Sequence, residues 1–224
     1  MSILFDFDGV LLNSRENMRR SWLEVQVECD VGVDFENYFA LIGKPFQVIL
    51  SELGISKNRE LIEHTYFAAS SRHIDALSLF PGIAETISVL AELRTPIGIL
   101  TSKDPVRTRQ FVRRFQLPIS MLYSPTDTLR GKPEPDLFVA AADEWGVEPA
   151  DITYIGDMSV DEEAATGFGA AYIHCDWGYG APLTQDCKKA ATPADLLDLL
   201  VARYAPNLMP FLNTASMPTV AHRH

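Results

Sequence analysis

The feature that most constrains the fold of this chain is a short apolar run followed by a stretch with helical periodicity, repeated several times. The apolar runs have the length of buried strands and lie at residues 2–5, 97–100, 119–123, 152–155 and 170–173. Between them, a spacing such as that of Phe138, Ala141, Ala142 and Trp145 places apolar side chains on one face of a helix. Strands that alternate with helices predict an α/β fold with a doubly wound parallel sheet, a Rossmann-like core.

One segment, residues 14–79, departs from this alternation. It contains helical stripes such as Met18, Trp22 and Val25, and its sequence shows no convincing strand. We therefore expect an α-helical cap at 14–79, inserted between two parts of one α/β core, residues 1–13 and 80–205. Residues 206–224, where periodicity is weak, are expected to form an irregular C-terminal tail.

The charge balance narrows the classes of partner. The chain has 224 residues, a net charge of −11 and a pI of about 4.8, so it offers no basic footprint for nucleic acid or an anionic membrane. Its apolar runs fall short of the ~20 residues that cross a bilayer, and its N-terminus lacks the basic region of a signal peptide. We expect a cytoplasmic protein, monomeric or homodimeric, that binds neither nucleic acid nor membrane.

Polar side chains follow the predicted strands at the point where each strand ends. They are Asp6 and Asp8 after the first strand, Thr101 and Ser102 after the second, Lys132 downstream of the third, and Asp157 and Asp161 after the fourth. Taken singly, such residues are typical of turns, helix caps and loops. The carboxyl ends of parallel strands meet at one edge of the sheet, where open α/β sheets bind ligands, so we expect these side chains to converge.

The chemistry of this set suits phosphoryl transfer. Asp6, Asp8 and Asp157 would repel one another if they converged without a cation, and hard oxygen ligands with room for water suit Mg²⁺. The Lys132 amine and the Thr101 hydroxyl, with nearby backbone amides, would hold the oxygens of a phosphate group. The residues therefore predict Mg²⁺ and a phosphate group at this edge of the sheet.

Four motifs occur in order along the chain: DFDGVL at 6–11, LTS at 100–102, GKPEPD at 131–136 and GDMSVD at 156–161. Together with the insert after the first motif, they resemble the haloacid dehalogenase-like hydrolase superfamily, specifically its members with a helical cap. Through LIGKP (41–45) and WGYG (177–180) the chain most resembles the phosphoglycolate phosphatase-like group. The resemblance implies a phosphoric monoester hydrolase that acts on a small phosphorylated metabolite.

The resemblance also implies a two-step mechanism through an aspartyl-phosphate. Asp6 would be the nucleophile that attacks phosphorus. Asp8 would protonate the leaving oxygen and then deprotonate the water that hydrolyses the intermediate. Mg²⁺ would lie between the Asp6 carboxylate, the Asp8 backbone carbonyl and Asp157.

Four further residues complete the site that the resemblance implies. Thr101 and Ser102 would bind the transferring phosphoryl group, and Lys132 would neutralise both that group and the nucleophile. Asp161 would orient Lys132 or a metal-bound water. Ser102 stands where many relatives have Asn, so its backbone amide rather than its side chain is expected to meet the phosphate.

Two sets of basic residues lie outside these motifs. Lys44, in the stretch GKP before a cap helix, is our candidate for substrate selection, and a solvated lysine at a helix start is the alternative interpretation. Arg107, Arg109, Arg113 and Arg114 form the charged face of a predicted helix, and such faces are usually solvated.

Two other functions stay open on the sequence. A phosphomutase of the β-phosphoglucomutase type resembles the same capped fold, but it must keep water away from the aspartyl-phosphate. A non-catalytic phosphate-binding protein is the third hypothesis. Dehalogenation is disfavoured, because members that act on carbon–halogen bonds lack the second aspartate, whereas Asp8 is present in this chain.

Overall fold

The computed structural model of the chain describes residues 2–119 and 121–204. Along the chain its elements are β1 (Ser2–Phe5), β2 (Leu12–Asn13), α1 (Arg15–Glu28), α2 (Phe35–Phe39), α3 (Phe46–Glu52), α4 (Arg59–Arg72), β3 (Ser78–Leu79), α5 (Ile83–Glu92), β4 (Ile97–Leu100), α6 (Pro105–Arg114), β5 (Met121–Tyr123), α7 (Asp136–Trp145), β6 (Ile152–Gly156), α8 (Ser159–Phe168), β7 (Ala171–Cys175), β8 (Lys189–Ala190) and α9 (Pro193–Tyr204). None of the described helices combines the length and the apolar composition needed to cross a bilayer. The tail predicted at residues 206–224 lies outside the described residues.

Within the described residues, six strands form one parallel sheet in the order β5-β4-β1-β6-β7-β8. Strand β1 lies inside the sheet, where Ile3 pairs with Ile97 of β4 and with Thr153 of β6. The predicted α/β fold class with a doubly wound parallel sheet is therefore confirmed. The sequence predicts none of the two-residue strands β2, β3 and β8, because two residues are too few for a periodic pattern to show. The expectation of no strand in residues 14–79 is therefore wrong at the end of that range, where β3 lies.

Both faces of the sheet are covered by helices. Ile3 and Phe5 of β1 pack on one face in a cluster that includes Phe111 of α6, while Leu4 packs on the other face with Phe138 of α7. Successive side chains of a strand point to opposite faces, so a strand buried on both faces must be apolar throughout. This requirement explains why the strands are visible in the sequence as continuous apolar runs.

Helices α1–α4, which we call the helical insert, lie between β2 and β3, two short strands that pair antiparallel. The insert has a hydrophobic cluster of its own that contains Trp22, Tyr38 and Tyr66. The rings of Trp22 and Tyr38 stack with centroids 4.3 Å apart, and the Tyr38 hydroxyl donates to the Tyr66 hydroxyl at 2.8 Å. The division into core and cap at the expected residues stays a prediction.

Phe138 tests the packing of α7 on the sheet. Its side chain is fully buried, with its ring centroid 5.0 Å from that of Tyr154 and 5.5 Å from that of Phe168. Because Phe138→Ala leaves a cavity, we expect it to lower the free energy of unfolding by about 3–5 kcal/mol in a urea titration. Val139→Ala, on the exposed side of the same helix, should change that free energy by less than about 0.5 kcal/mol. Equal losses in the two variants would contradict this packing.

Candidate active site

Three neighbouring strands of the sheet end at the candidate site. Asp6 follows β1, Thr101 follows β4 and Asp157 follows β6, and all three side chains are buried. The ladder of hydrogen bonds continues past the end of β1, since the Asp6 N–H donates to the Ile155 carbonyl at 2.8 Å. The edge of the parallel sheet thereby brings two carboxylates and a hydroxyl together, as the strand ends predict.

Lys132 is buried among these carboxylates. Its Nζ lies 3.0 Å from Asp6 Oδ1 and 2.5 Å from Asp161 Oδ1, and it also donates to the Tyr154 hydroxyl at 3.0 Å. Burial acts to lower the pKa of Lys132, but the charges of Asp161 and Asp6 outweigh it and raise that pKa above its ordinary value. The amine is therefore protonated at neutral pH and opposes the negative charge of Asp6.

Both oxygens of Asp161 already accept hydrogen bonds. Oδ1 accepts from Lys132 and, at 3.3 Å, from the Tyr154 hydroxyl, while Oδ2 accepts from the backbone N–H groups of Asp157 and Met158 at 3.0 and 2.9 Å. The Asp161 carboxylate thus joins Lys132 to the loop that carries Asp157. These contacts are the ones that Asp161 needs in order to orient Lys132, the role expected of it. They also leave Asp161 little capacity to bind a metal.

The carboxylates of Asp6, Asp157 and Asp161 offer ligand atoms that all lie within 4.8 Å of one another. Burial raises the pKa of Asp6 to about 7 against the opposing charge of Lys132. Burial, with the charges of Asp161 and Asp6, also holds the pKa of Asp157 well above its usual range. Among the described residues, Asp157 Oδ1 is buried without a hydrogen-bond partner, and Asp6 Oδ1 has only the ion-pair contact with Lys132. The cluster therefore contains hard oxygen ligands and too little positive charge to balance them. Both properties fit a Mg²⁺ ion held by Asp6 and Asp157.

Asp157 is surrounded closely by backbone. Its Oδ2 accepts the Tyr179 N–H at 2.6 Å. A Cβ added to Gly9, which has φ of +88°, or to Gly178 would lie 2.2 Å from an atom of the Asp157 side chain, so both positions require glycine. The glycines of DFDGVL and WGYG are the signal in the sequence for this close packing, and sequence reasoning assigned them no such role.

Asp8 pairs with a lysine that sequence reasoning missed. Lys103 Nζ contacts the two Asp8 carboxylate oxygens at 3.2 and 3.0 Å, and the lysine side chain is buried. Burial lowers the pKa of Lys103, while the charge of Asp8 opposes that change. The position of Lys103, directly after the LTS motif, is the one signal in the sequence that it belongs to the site.

The two hydroxyl residues after β4 adjoin the same space. The buried Thr101 Oγ1 accepts the Lys103 N–H at 3.2 Å. Ser102 Oγ is buried and meets no hydrogen-bond partner in residues 2–119 and 121–204. Thr101, Ser102 and Lys132 all line one cavity. A common cavity is necessary if all three are to contact a phosphoryl group.

A cavity of about 250 Å³ lies between the edge of the sheet and the helical insert. The sheet side contributes Asp6, Asp8 and Lys132, and the insert contributes aromatic side chains such as Tyr66 and Phe67. The volume suits a small ligand. Lys44, the expected substrate contact, does line this cavity, but its amine pairs with Glu52 at 2.7 Å.

The prediction that the arginines of α6 are solvated is wrong at one position. Arg109, Arg113 and Arg114 are exposed, whereas Arg107 is 6% exposed and lines the cavity. The first turn of α6 lies against the helical insert, where the Arg107 guanidinium stacks on Phe67. Periodicity places these arginines on a helix, but it does not show which other segment packs on that helix.

A comparison with protein families agrees with this geometry. The family model described as haloacid dehalogenase-like hydrolase matches residues 3–175. The chain belongs to this family. The family predicted from the four motifs is therefore confirmed.

Two curated relatives of this hydrolase, both named as phosphatases, match over nearly their whole length and confirm the predicted enzyme class, a phosphoric monoester hydrolase. Validoxylamine A 7'-phosphate phosphatase of Streptomyces hygroscopicus subsp. limoneus is 27% identical over 216 residues, which cover 92% of this chain and 97% of the relative. The phosphoglycolate phosphatase of Synechococcus elongatus is 28% identical over 207 residues, which cover 88% and 95% respectively.

Solved structures show the same fold. A hydrolase from Pseudomonas syringae superposes with a TM-score of 0.79 at 24% identity, and the match covers 90% of this chain and 98% of that one. A predicted phosphoglycolate phosphatase from Haemophilus somnus gives a TM-score of 0.78 at 20% identity, with 89% and 97% covered. At these identities the similarity concerns the fold alone.

Asp157→Asn tests whether Asp157 helps to hold a cation, and the test does not measure activity. Saturating Mg²⁺ should raise the Tm of the unaltered protein, because a ligand present at 100 times its Kd stabilises the folded state by about 2.7 kcal/mol. We expect Asp157→Asn to lose this rise in thermal denaturation, since the amide can accept the Tyr179 N–H but brings no charge to a cation. Glu163→Gln, an exposed change on α8, should keep the rise. A full Mg²⁺ effect in Asp157→Asn would exclude Asp157 as a ligand.

Proposed function

We propose that this hydrolase is a Mg²⁺-dependent phosphatase that hydrolyses a small phosphorylated metabolite through an aspartyl-phosphate on Asp6. The observation that carries the proposal is the position of Asp6, a buried carboxylate at a cavity of ligand size, 3.0 Å from the protonated amine of Lys132. The phosphatase names of the two curated relatives support it. At 28% identity, phosphoglycolate phosphatase indicates a kind of reaction and leaves the substrate open.

In the first step an oxygen of Asp6 attacks phosphorus, and the bond between phosphorus and the ester oxygen breaks. Asp8, in its acid form, gives its proton to the departing oxygen, which leaves as an alcohol. Asp6 is then an acyl phosphate, and Asp8 is a carboxylate. Lys132 stabilises the negative charge on the phosphoryl group during this transfer, since its amine is buried and protonated.

In the second step Asp8 takes a proton from water as the water oxygen attacks phosphorus, which releases inorganic phosphate and restores the Asp6 carboxylate. Lys103 positions Asp8 in both steps by contacting its two oxygens. Bound Mg²⁺, held by Asp6 and Asp157, would supply positive charge to the phosphoryl group. Thr101 and Ser102 line the cavity, and in our proposal the Thr101 hydroxyl and the Ser102 backbone amide donate to the remaining phosphate oxygens.

The expected substrate contact of Lys44 and the cytoplasmic location stay predictions. The size of the cavity, about 250 Å³, and its lining by aromatic residues of the helical insert support a small substrate.

Asp6→Asn tests the nucleophile. An amide oxygen is a poor nucleophile, so we expect kcat for p-nitrophenyl phosphate to fall by at least about a thousandfold. The far-ultraviolet circular dichroism should match that of the unaltered protein, because the substitution preserves the shape of the side chain. Turnover near the original rate would exclude Asp6 as the nucleophile, and an inactive unaltered protein would favour a non-catalytic phosphate-binding role.

Asp8→Asn tests whether the hydrolysis proceeds in two steps. Nitrophenolate leaves without protonation, so the first step should survive, whereas attack by water should be slow without a base. We expect a burst of one nitrophenolate per active site followed by slow turnover, measured by stopped-flow absorbance. Asp143→Asn, an exposed change on α7, should show no burst above that of the unaltered protein. Slow turnover without a burst would contradict the role of Asp8 in the second step.

A further inference from the structure

Arg107 is a buried cation in the wall of the cavity that Asp6 and Asp8 also line. Its side chain is 6% exposed, although its helix is otherwise rich in exposed arginines. Arginine is almost never buried to this degree unless its charge is paired. The contacts of its guanidinium therefore indicate what the group is positioned to bind.

Two kinds of contact hold the guanidinium of Arg107 in place. Its central carbon lies 3.8 Å from the ring centroid of Phe67 and 5.4 Å from that of Tyr66, both on α4 of the helical insert. Its Nε donates to Asp104 Oδ2, and Asp104 Oδ1 accepts the Arg107 backbone N–H at 2.9 Å as the N-cap of α6. The aromatic rings therefore contact the flat face of the guanidinium, and Asp104 binds one of its edges.

The Nη1 nitrogen of this guanidinium has no such contact. It is buried and, in the part of the chain that the structure describes, it meets no hydrogen-bond acceptor. Buried donors in folded proteins are nearly always paired, and a buried charged donor without an acceptor is costly. Because Arg107 lines a cavity of ligand size, a ligand can bring the missing acceptor.

We propose that Arg107 binds a second anionic group of the substrate, a carboxylate or a phosphate, while the phosphoryl group to be transferred lies at Asp6 and Lys132. The inference rests on the proposed phosphatase function and narrows its substrates to phosphate monoesters that carry another anion. Arginine suits this task, because its planar fork of N–H groups matches the oxygens of both anions.

The positive charge of the unpartnered donor favours an anion over a neutral acceptor. Lys103, in the loop after β4, and Arg107, in the first turn of α6, are both buried cations that line the cavity. Lys103 is already paired with Asp8, whereas Arg107, among the described residues, keeps one buried N–H group without an acceptor beside its pair with Asp104. An anion beside Arg107 would give this charged donor a charged acceptor, and such hydrogen bonds are stronger than those to a neutral group.

Lys44 is a weaker candidate for the same contact. Its amine already contacts both carboxylate oxygens of Glu52, at 2.8 and 2.7 Å. Its side chain is also 30% exposed, so that water competes for its remaining donor. The structure therefore favours Arg107 over Lys44 as the residue that binds the second anion.

Matched substrates test the inference on the full chain with Mg²⁺. Phosphoglycolate, ethylene glycol bisphosphate and ethylene glycol monophosphate share a two-carbon skeleton that ends in a carboxylate, a phosphate or a hydroxyl. Phosphoglycerate with a terminal phosphate and glycerol monophosphate repeat the comparison on a longer skeleton. We expect kcat/KM to be at least about tenfold higher for an anionic member than for its hydroxyl counterpart, mainly through a lower KM.

Substitutions then assign the preference to a residue. Arg107→Met should reduce the ratio of kcat/KM between anionic and hydroxyl substrates to within about twofold, and Arg107→Lys should retain only part of it. Arg109→Met, an exposed change on the same helix, and Lys44→Met should leave the ratio unchanged. The ratio is a readout that a purely structural role of Arg107 would not move, because lost protein lowers both rates equally.

Each outcome decides the inference. A preference for the carboxylate or for the bisphosphate supports it and identifies the second anion. Equal kcat/KM values on both skeletons, a preference that persists in Arg107→Met, or one that disappears in Lys44→Met would overturn it. Turnover of p-nitrophenyl phosphate without any anion preference would sink this inference alone, whereas no turnover of any monoester would sink the phosphatase function itself.

Discussion

The protonated amine of Lys132, enclosed between Asp6 and Asp161, is the interaction on which the rest of the site depends. A buried ion is costly unless its partners surround it, and this amine lies 3.0 and 2.5 Å from the two carboxylates. Its partners come from different segments, so a single charge ties the end of β1 to the first turn of α8. One cation among three buried carboxylates leaves the cluster short of positive charge, which is the physical reason to expect Mg²⁺ beside Asp6 and Asp157.

The loop after β7 connects this cluster to the helical insert. The Tyr179 N–H holds Asp157, while the Tyr179 hydroxyl accepts the Ser14 N–H at 2.6 Å, where α1 begins without a cap from its own side chain. The Tyr179 ring also lies 5.1 Å from that of Phe39 in the insert. The residue that orients a candidate metal ligand therefore also caps the helix by which the chain enters the insert.

The cavity between the sheet and the insert combines two kinds of surface. Its sheet side presents Asp6, Thr101 and Lys132, the groups suited to the transfer of a phosphoryl group. Backbone hydrogen bonds to neighbouring strands hold Asp6 and Thr101. The boundary of the cavity with the insert presents Lys103 and Arg107, two cations buried against aromatic side chains. In our proposal the phosphoryl group is therefore bound at the edge of the sheet, and the second anion of the substrate is bound where α6 meets the helical insert.

The sequence by itself determined the α/β class, five of the strands, the insert as a helical segment and the family, because strands buried on both faces and short motifs at strand ends are local patterns. It also named the residues that converge, since parallel strands end at one edge. Only the tertiary structure decided that Lys103 pairs with Asp8, that Arg107 is buried, that two glycines enclose Asp157 and that β8 exists. These features depend on what packs against a residue from distant segments, and periodicity records which residues share a face but not what covers that face.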